Sequence, residues 1–444
     1  MSTQDTIKKT SEYFSSSATM KIMTIGLLVV VLLIPSAMVS SLMHERESRR
    51  DGVVGEINQK WGGSQTITGP FFTVPYKSYY KDEKGQEKFN ILYLHILPEK
   101  LDIVGEMAPE VRYRGIYEAV LYNTRLEIAG NFAMPPLGQT DIDPKNVMWD
   151  KAVFSVGISD MRGIKDSIVV NYNNQAYKVS PGLKTMDLAG AGVQAVIPLS
   201  LNSTENNFSL RLDLNGSEML HFVPVGEKTE VALKSSWPSP SFNGAFLPAT
   251  REVSDQGFSA LWRVLSLNRN FPQFWQGGSY KVKEASFGLN LIITADIYQK
   301  STRISKYALM FIVFTFAAFF FSEVINRNRV HPIQYLLIGL AIILFYVLLL
   351  AISEHLSFDL AYIISALAIT ATITGYSQGI LKNKHFTLTV SAILAVLYAY
   401  LYIVLQLEDY ALIMGGIGLF IVLATVMYIT RKIDWYALDK GADQ

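Results

Sequence analysis

Three residues that can carry or exchange a proton, Glu354, His355 and Asp359, lie between two apolar stretches long enough to cross a lipid bilayer. Polar groups at membrane depth are costly, so such residues are functional candidates by default. The loop is short enough to bring both carboxylates to the imidazole, and this suggests a proton-sensitive cap. The alternative is a loop at the membrane surface whose acids follow the charge rule for membrane loops.

A fourth candidate, Glu323, ends another apolar stretch and is followed one turn later by Arg327. An interfacial carboxylate that pairs with this arginine is the favoured interpretation, because long charged side chains near helix ends reach the membrane surface. A role in transport is the alternative.

Asp160 and Arg162 stand out in the segment SDMRGI at 159–164, where a polar cluster follows an apolar strand pattern. The two side chains could bind a ligand. They could also fix a turn, since aspartate side chains commonly accept hydrogen bonds from the backbone two residues on, and we favour the turn.

Patterns for other chemistry are missing from the sequence. No two of the six histidines are spaced i, i+4, and there is no HExxH, GxSxG, GxxxxGK[ST] or GxGxxG motif. The chain has no cysteine, which excludes disulfides and thiolate metal sites. We therefore expect a protein that is not an enzyme and that has no metal or cofactor.

The elements that must position these residues follow from the charge distribution. Of 77 charged residues (39 basic plus 38 acidic), only ten lie in 305–430 and none lies in 22–43. About 20 apolar residues are needed to cross a bilayer. We predict six transmembrane helices, at 22–43 and at about 305–325, 332–353, 360–381, 386–407 and 410–430.

The short loops between these helices alternate in charge. Arg327 and Arg329, then Lys382 and Lys384, and finally Arg431 and Lys432 mark one side, and acidic residues mark the other. The positive-inside rule places both termini in the cytoplasm, as segments 1–21 and 431–444. It places residues 44–304 on the opposite, extracytoplasmic side of the membrane.

The long segment 44–304 carries 28 basic and 28 acidic residues, so its net charge gives no reason to expect a nucleic-acid partner. About ten short runs rich in β-branched and aromatic residues predict an all-β, sandwich-like domain of antiparallel strands or a twisted open sheet. Helix is expected only at its edges, from Met43 to Gln59 and at 259–267. Its aromatic residues at 258–275 belong either to the core or to a belt at the lipid headgroups.

Several long segments together resemble the CreD family of inner-membrane cell envelope integrity proteins. The most specific are VHPIQYLLIGLAIILFYVLLLAISEHLSFDLAYIISALAI at 330–369 and EDYALIMGGIGLFIVLATVMYITRKIDWY at 408–436, with YRGIYEAVLY at 113–122, SDMRGI at 159–164 and GFSALWRVL at 257–265. The resemblance implies an inner-membrane protein with a large periplasmic β-domain, linked to envelope integrity and often produced under two-component control. It implies no reaction, ligand or catalytic residue.

We therefore expect a non-enzymatic membrane protein that contributes to envelope integrity or an envelope stress response. Besides the lipid bilayer, its partner would be a lipid, a wall precursor or a periplasmic or membrane protein bound by the β-domain. The alternative is a transporter or flippase that moves an amphiphilic molecule through the five helices of 305–430.

Overall fold

The computed structural model describes residues 18–136, 142–200, 206–292, 297–326, 330–381, 384–407 and 411–431. The predicted cytoplasmic segment 1–21 and tail 431–444 lie almost entirely outside these residues. The chain divides into two compact units. Asp51–Thr294 form the β unit, and Met1–Arg50 with Ala295–Gln444 form the helical unit.

Seventeen described strands build the β unit, more than the ten or so expected from the sequence. They are β1 (Gln65–Lys81), β2 (Glu87–Ile96), β3 (Lys100–Arg114), β4 (Tyr117–Asn131), β5 (Val153–Ile158), β6 (Val169–Tyr172), β7 (Gln175–Lys178), β8 (Ser180–Pro181), β9 (Gly192–Val196), β10 (Asn207–Ser217), β11 (Met219–Val223), β12 (Lys228–Ser235), β13 (Pro240–Gly244), β14 (Thr250–Ser254), β15 (Gly257–Leu265), β16 (Phe274–Gln276) and β17 (Phe287–Leu291).

The strands form two sheets. The nine-stranded sheet has the order β13-β17-β11-β1-β5-β9-β8, and β2 extends it by pairing with β1 and β16. The eight-stranded sheet has the order β14-β15-β12-β3-β4-β10-β6-β7. Most pairs are antiparallel, as predicted, but β1 with β11 and β3 with β12 are parallel. Each sheet therefore contains both parallel and antiparallel pairs. The parallel pairs are possible because they join strands that are far apart in the sequence.

One hydrophobic core lies between the two sheets. Phe154 of β5 packs on Phe208 of β10, with ring centroids 5.8 Å apart, and Trp262 of β15 packs on Phe287 of β17 at the same distance. The predicted helix at 259–267 is wrong, since this segment is strand β15 and a short 3₁₀ turn. The aromatic side chains of 258–275 are buried or half-buried in the core and form no exposed belt.

The described helices are α1 (Ala18–Trp61), α2 (Ile297–Ser305), α3 (Ala308–Asn326), α4 (Pro332–Ser353), α5 (Phe358–Leu381), α6 (Lys384–Gln406) and α7 (Ala411–Thr430). Four of them are long and apolar enough to cross a membrane, and a fifth span results if the bent pair α2 and α3 is counted as one. The described apolar part of α7 is shorter, at Ile413–Tyr428. The structure thus supports four to five spans, and the predicted total of six stays a prediction.

Local sequence explains where the key helices begin and end. Pro332 occupies the first turn of α4, where its missing N–H costs nothing, and His331 caps this helix by accepting a hydrogen bond from the Ile333 N–H. Helix α1 runs past its apolar part and stops at Trp61, directly before Gly62 and Gly63, as predicted. Gly62 has a φ of +141°, which favours glycine and turns the chain into β1.

Candidate functional site

Glu323 lies near the end of α3 and is 6% exposed. Its carboxylate forms an ion pair with Lys21 of α1. It also accepts hydrogen bonds from the Val330 N–H at 3.2 Å and from the Tyr335 hydroxyl of α4 at 3.3 Å. Arg327, the partner expected from the sequence, lies outside the described residues. A buried carboxylate with three donors connects three helices, because its charge is compensated only where they meet.

Glu354 caps the other end of α4 and makes a second set of contacts with α1. Its Oε1 lies 3.6 Å from Arg46 Nη1 of α1 and accepts a hydrogen bond from the Tyr298 hydroxyl of α2 at 3.3 Å. The Arg50 guanidinium lies over the Tyr298 ring, 5.3 Å from its centroid. Glu354 therefore fastens α1 to α2 and α4.

The two ion pairs of α1 are separated by about the thickness of a bilayer. Lys21 and Arg46 are 25 positions apart (46 − 21), or about 37 Å at 1.5 Å per helical residue. A hydrocarbon core of about 30 Å fits between them. A bilayer with its core between the two pairs would leave both of them near its surfaces, where charged side chains are least costly.

His355 and Asp359 do not share the contacts of Glu354. Asp359 is exposed, and its Oδ1 accepts hydrogen bonds from the Tyr402 hydroxyl at 3.0 Å and from Gln406 Nε2 at 3.1 Å, both in α6. The His355 side chain is exposed. Within the described ranges, no hydrogen bond or ion pair joins Glu354, His355 and Asp359. Nor does that part of the chain hold a cluster of histidine and acidic residues suited to a metal ion.

In the β unit, Asp160 and Arg162 form a compact turn. The Asp160 carboxylate accepts hydrogen bonds from the Arg162 N–H at 3.1 Å and from its guanidinium at 2.9 and 2.7 Å. It also accepts one from the Gly63 N–H at 2.8 Å, next to the end of α1. These bonds, the Arg162 side chain first, lower the pKa of Asp160 to about 2. This geometry is that of a turn in which an aspartate side chain accepts from the backbone two residues on. The bond to Gly63 also fixes the connection between α1 and β1.

The same connection is closely packed. Gln65, the first residue of β1, donates from Nε2 to the backbone oxygens of Asp160 at 2.9 Å and Asn215 at 3.1 Å. A Cβ on Gly163 would lie 2.2 Å from the Asn215 oxygen and 2.5 Å from Gln65 Nε2. Only glycine fits there without displacing the backbone.

Three of the four acidic candidates therefore contact α1 or its end. Glu323 meets Lys21 near the start of the helix, Glu354 meets Arg46 further along it, and Asp160 meets Gly63 just after it. These carboxylates position an element and do not converge on one pocket in the described structure.

The acid dependence of stability tests the role of Asp160. Because the folded pKa of Asp160 is depressed, its contribution to stability is present above the unfolded value of about 3.9 and is lost as the pH falls through that range towards 2. We expect Asp160→Asn to lower the unfolding temperature of the β unit at pH 6. The difference in unfolding temperature between this variant and the unsubstituted protein, which is the gap to be measured, should narrow between pH 4 and 2. A gap of constant size down to pH 2 would contradict this role. Asp166→Asn, at an exposed position nearby, is the matched control.

A buried histidine escaped the sequence analysis. His95 of β2 is fully buried, with Nε2 2.8 Å from Asp187 Oδ2 and Nδ1 3.1 Å from Thr73 Oγ1 of β1. Burial lowers the His95 pKa, and Asp187 partly opposes this shift. Thr73 is 1% exposed, so its hydroxyl is not accessible to a substrate in this arrangement. His95 and Asp187 are 92 positions apart and share no local motif, so only the strand order could have joined them.

Several hydroxyl groups in the helical unit also went unnoticed. Tyr346, Tyr398, Ser365 and Thr315 are each at most 3% exposed, and their hydroxyls have no hydrogen-bond partner among the described residues. The Tyr362 hydroxyl donates to the Tyr398 backbone oxygen at 2.6 Å. Buried hydroxyls without protein partners are unusual, and such groups usually form hydrogen bonds with water or a bound molecule.

These features define a membrane protein in which apolar helices are joined to a large two-sheet β unit. A sequence model of the CreD family, described as inner membrane protein CreD, matches residues 17–436. The inner membrane protein CreD of Escherichia coli K12 is 34% identical over 416 residues, which cover 92% of each chain. The chain belongs to the CreD family of inner-membrane proteins.

A search among solved structures gives a much weaker likeness. The crystal structure of an M1 zinc metallopeptidase mutant from Deinococcus radiodurans, with a bound substrate, covers 38% of this chain and 39% of its own, at 11% identity and a TM-score of 0.18. A similarity at this level carries no argument about fold or activity.

Proposed function

We propose that the chain is a non-enzymatic inner-membrane protein that contributes to envelope integrity or an envelope stress response. In this proposal the β unit binds a lipid, a wall precursor or a protein partner, and the helical unit anchors it. The observation that carries the proposal is the set of contacts that the charged candidate residues make. Glu323 and Glu354 form ion pairs with α1, and Asp160 accepts a hydrogen bond just after its end, whereas a catalytic site needs such groups to converge on one reacting centre.

An exposed apolar surface on the β unit supports a binding role. Tyr79 of β1 and Phe89 of β2 face each other in the antiparallel register and are 46% and 47% exposed. Ile91, two positions along β2, is 50% exposed. Neighbouring exposed apolar side chains commonly mark an interaction site. We call Tyr79, Phe89 and Ile91 the ribbon surface.

Photo-crosslinking in intact cells tests this binding role. A photoreactive residue placed at Phe89 or Ile91 is expected to give a discrete adduct with one protein or one lipid class. The same residue at Leu367, a 66% exposed position in the apolar helix α5, is the control for unspecific lipid labelling. If the ribbon surface gives no adduct, or only the adducts of Leu367, the proposed binding role fails.

The proposal includes six membrane spans, both termini in the cytoplasm and residues 44–304 in the periplasm. The alternation of basic and acidic loops supports it. Reporter enzymes inserted in the β unit after Gly226, and fused after Arg431, test it directly. The first should be active only outside the cytoplasm and the second only inside, and any other pair of results would overturn the topology.

The transporter or flippase alternative gains support from the buried hydroxyls of Tyr346, Tyr398, Ser365 and Thr315. Polar groups without partners at membrane depth are typical of a path for a substrate or for protons. Under this alternative, alanine at Glu354, His355 or Asp359 and phenylalanine at Tyr346 each abolish function without changing expression. Under our proposal, His355→Ala and Tyr346→Phe retain function in a complementation assay, because neither side chain fastens α1.

A further inference from the structure

The ten residues 182–191 connect β8 and β9 and cover His95. The ends of this segment are fixed, because the Gly182 N–H bonds to the Gly192 oxygen at 2.9 Å and the Ile158 N–H bonds to the Ala191 oxygen at 3.0 Å. Between them, no backbone–backbone hydrogen bond holds residues 183–190 within the described structure. Loops with close ends and few backbone bonds depend on their side chains to stay closed. We call residues 183–190 the strap.

Side chains at three consecutive positions hold the strap. Asp187 accepts a hydrogen bond from His95 Nε2 at 2.8 Å, and Leu188 is 5% exposed. Ala189 lies against Gly157 of β5, where an added Cβ would come within 2.5 Å of it. Met186, by contrast, is 80% exposed. The polar bond between Asp187 and His95 is therefore set among a few apolar contacts.

The protonation state of His95 follows from its partners. A carboxylate only accepts, so Nε2 carries the proton that faces Asp187. In the neutral ring Nδ1 then accepts from the Thr73 hydroxyl, and both nitrogens are satisfied. The other groups on the ring, Phe71 of β1 and Trp275 of β16, carry no charge. Asp187 is the charged group that faces His95 in the described part of the chain.

We propose that the strap is an acid-sensitive cover that opens when His95 takes up a second proton. In the closed form the charged ring is buried at 0% exposure, whereas in the open form it is hydrated. Opening uncovers His95, which lies between Thr73 and Trp275 in the nine-stranded sheet. The cover is independent of the partner proposed above, since it rests only on contacts within the β unit.

The sign of the effect follows from linkage. Burial lowers the pKa of His95 in the closed form despite the opposing effect of Asp187, so the open form binds the proton more tightly. Acidification through the range below about 6.5 therefore favours opening. The effect is limited to about tenfold per pH unit, because one proton is taken up.

The lack of cysteine in this sequence permits a direct measurement in the whole chain. We compare the alkylation rates of two single-cysteine variants, Leu188→Cys, which reports opening, and Met186→Cys, which is exposed in both forms. Their ratio cancels the pH dependence of the thiol itself. The ratio is expected to rise severalfold between pH 7.5 and 5.5. A ratio that does not change with pH would overturn the proposal.

Two further variants identify the responsible group. His95→Gln should abolish the rise, since glutamine can still donate to Asp187 but does not titrate. His221→Gln should leave it intact, although His221 is another largely buried histidine with a burial-lowered pKa, bonded to Asn243 at 2.7 Å. A rise that persists in His95→Gln contradicts the proposal. If His95→Gln does not fold, Asp187→Asn is the variant that tests the proposal. It should raise the ratio of the two alkylation rates several-fold at pH 7.5. An unchanged ratio would contradict the proposal that the strap is a cover held by Asp187.

Discussion

Replacing Glu323 by alanine is expected to destabilise the helical unit by about 3–5 kcal/mol, the usual cost of removing one partner of a buried ion pair. The loss is large because three donors, Lys21, the Val330 N–H and the Tyr335 hydroxyl, lose their shared acceptor. The thermal unfolding of the detergent-solubilised protein, followed by its helical circular dichroism, measures this change.

A double-mutant cycle separates the ion pair from other effects of the substitution. Lys21→Ala combined with Glu323→Ala should be less destabilising than the sum of the two single variants by about 1–3 kcal/mol, because the two residues are in contact. Glu45→Ala is the control, since Glu45 pairs with Arg49 on the exposed side of α1. If Glu323→Ala is no more destabilising than Glu45→Ala, Glu323 does not anchor α1.

The Gly163→Ala variant is expected to lower the stability of the β unit by about 3 kcal/mol, at the upper end for overpacking by one methyl group. The methyl would lie 2.2 Å from a backbone oxygen, that of Asn215, and backbone atoms have little room to move. A loss of this size corresponds to about 6–12 °C in the unfolding temperature of a domain of 150–250 residues. Five of the six tryptophans lie in the β unit, so their fluorescence follows its unfolding.

Gly55→Ala is the matched control for this glycine. Gly55 lies in α1, and a Cβ there would have open space around it. Alanine at an open helical position is expected to be neutral or to stabilise by up to about 1 kcal/mol. Equal unfolding temperatures for the two alanine variants would show that the connection between α1 and β1 is not tightly packed.

The helices were the most predictable part of the fold. The uncharged stretch 332–353 coincides with α4, and the pair of glycines after Trp61 marks the end of α1. The bilayer imposes this regularity, because backbone groups in a membrane must be satisfied within the helix itself. The number of spans was harder to predict, since α2 and α3 are bent by 45° relative to each other and the described part of α7 is short.

The strands were predicted less well, for reasons that particular residues show. The segment 111–122 is one continuous β-type run in the sequence, which predicts a single strand, but it contains the turn of the hairpin β3–β4, where Gly115 has a φ of +63°. The helix predicted at 259–267 is wrong because Phe258, Ala260, Trp262 and Val264 are buried alternately, which is the strand period. Small and aromatic residues occur in both helices and strands, so the spacing of the apolar residues is the feature that distinguishes the two here.

The candidate residues were found more readily than their partners. The sequence pointed to Glu323, Glu354 and Asp160, because charges are rare in apolar stretches and aspartate is common in turns. Their contacts lie far away along the chain, with Lys21 about 300 positions before Glu323. Such pairs follow from the packing of helices, and one sequence carries no local sign of them.

The parallel pairing of β1 with β11 bears on how the chain is made. Gln65 faces Leu220 across these strands, and β11 is in turn completed by β17, which ends at Leu291. Contacts between such distant positions slow folding, because the intervening loop must close first. During synthesis, this edge of β1 must therefore stay unpaired until 155 further residues (223 − 68) have emerged, and in that interval it is open to aggregation. We expect the nascent β unit to depend on chaperones in the compartment where it folds.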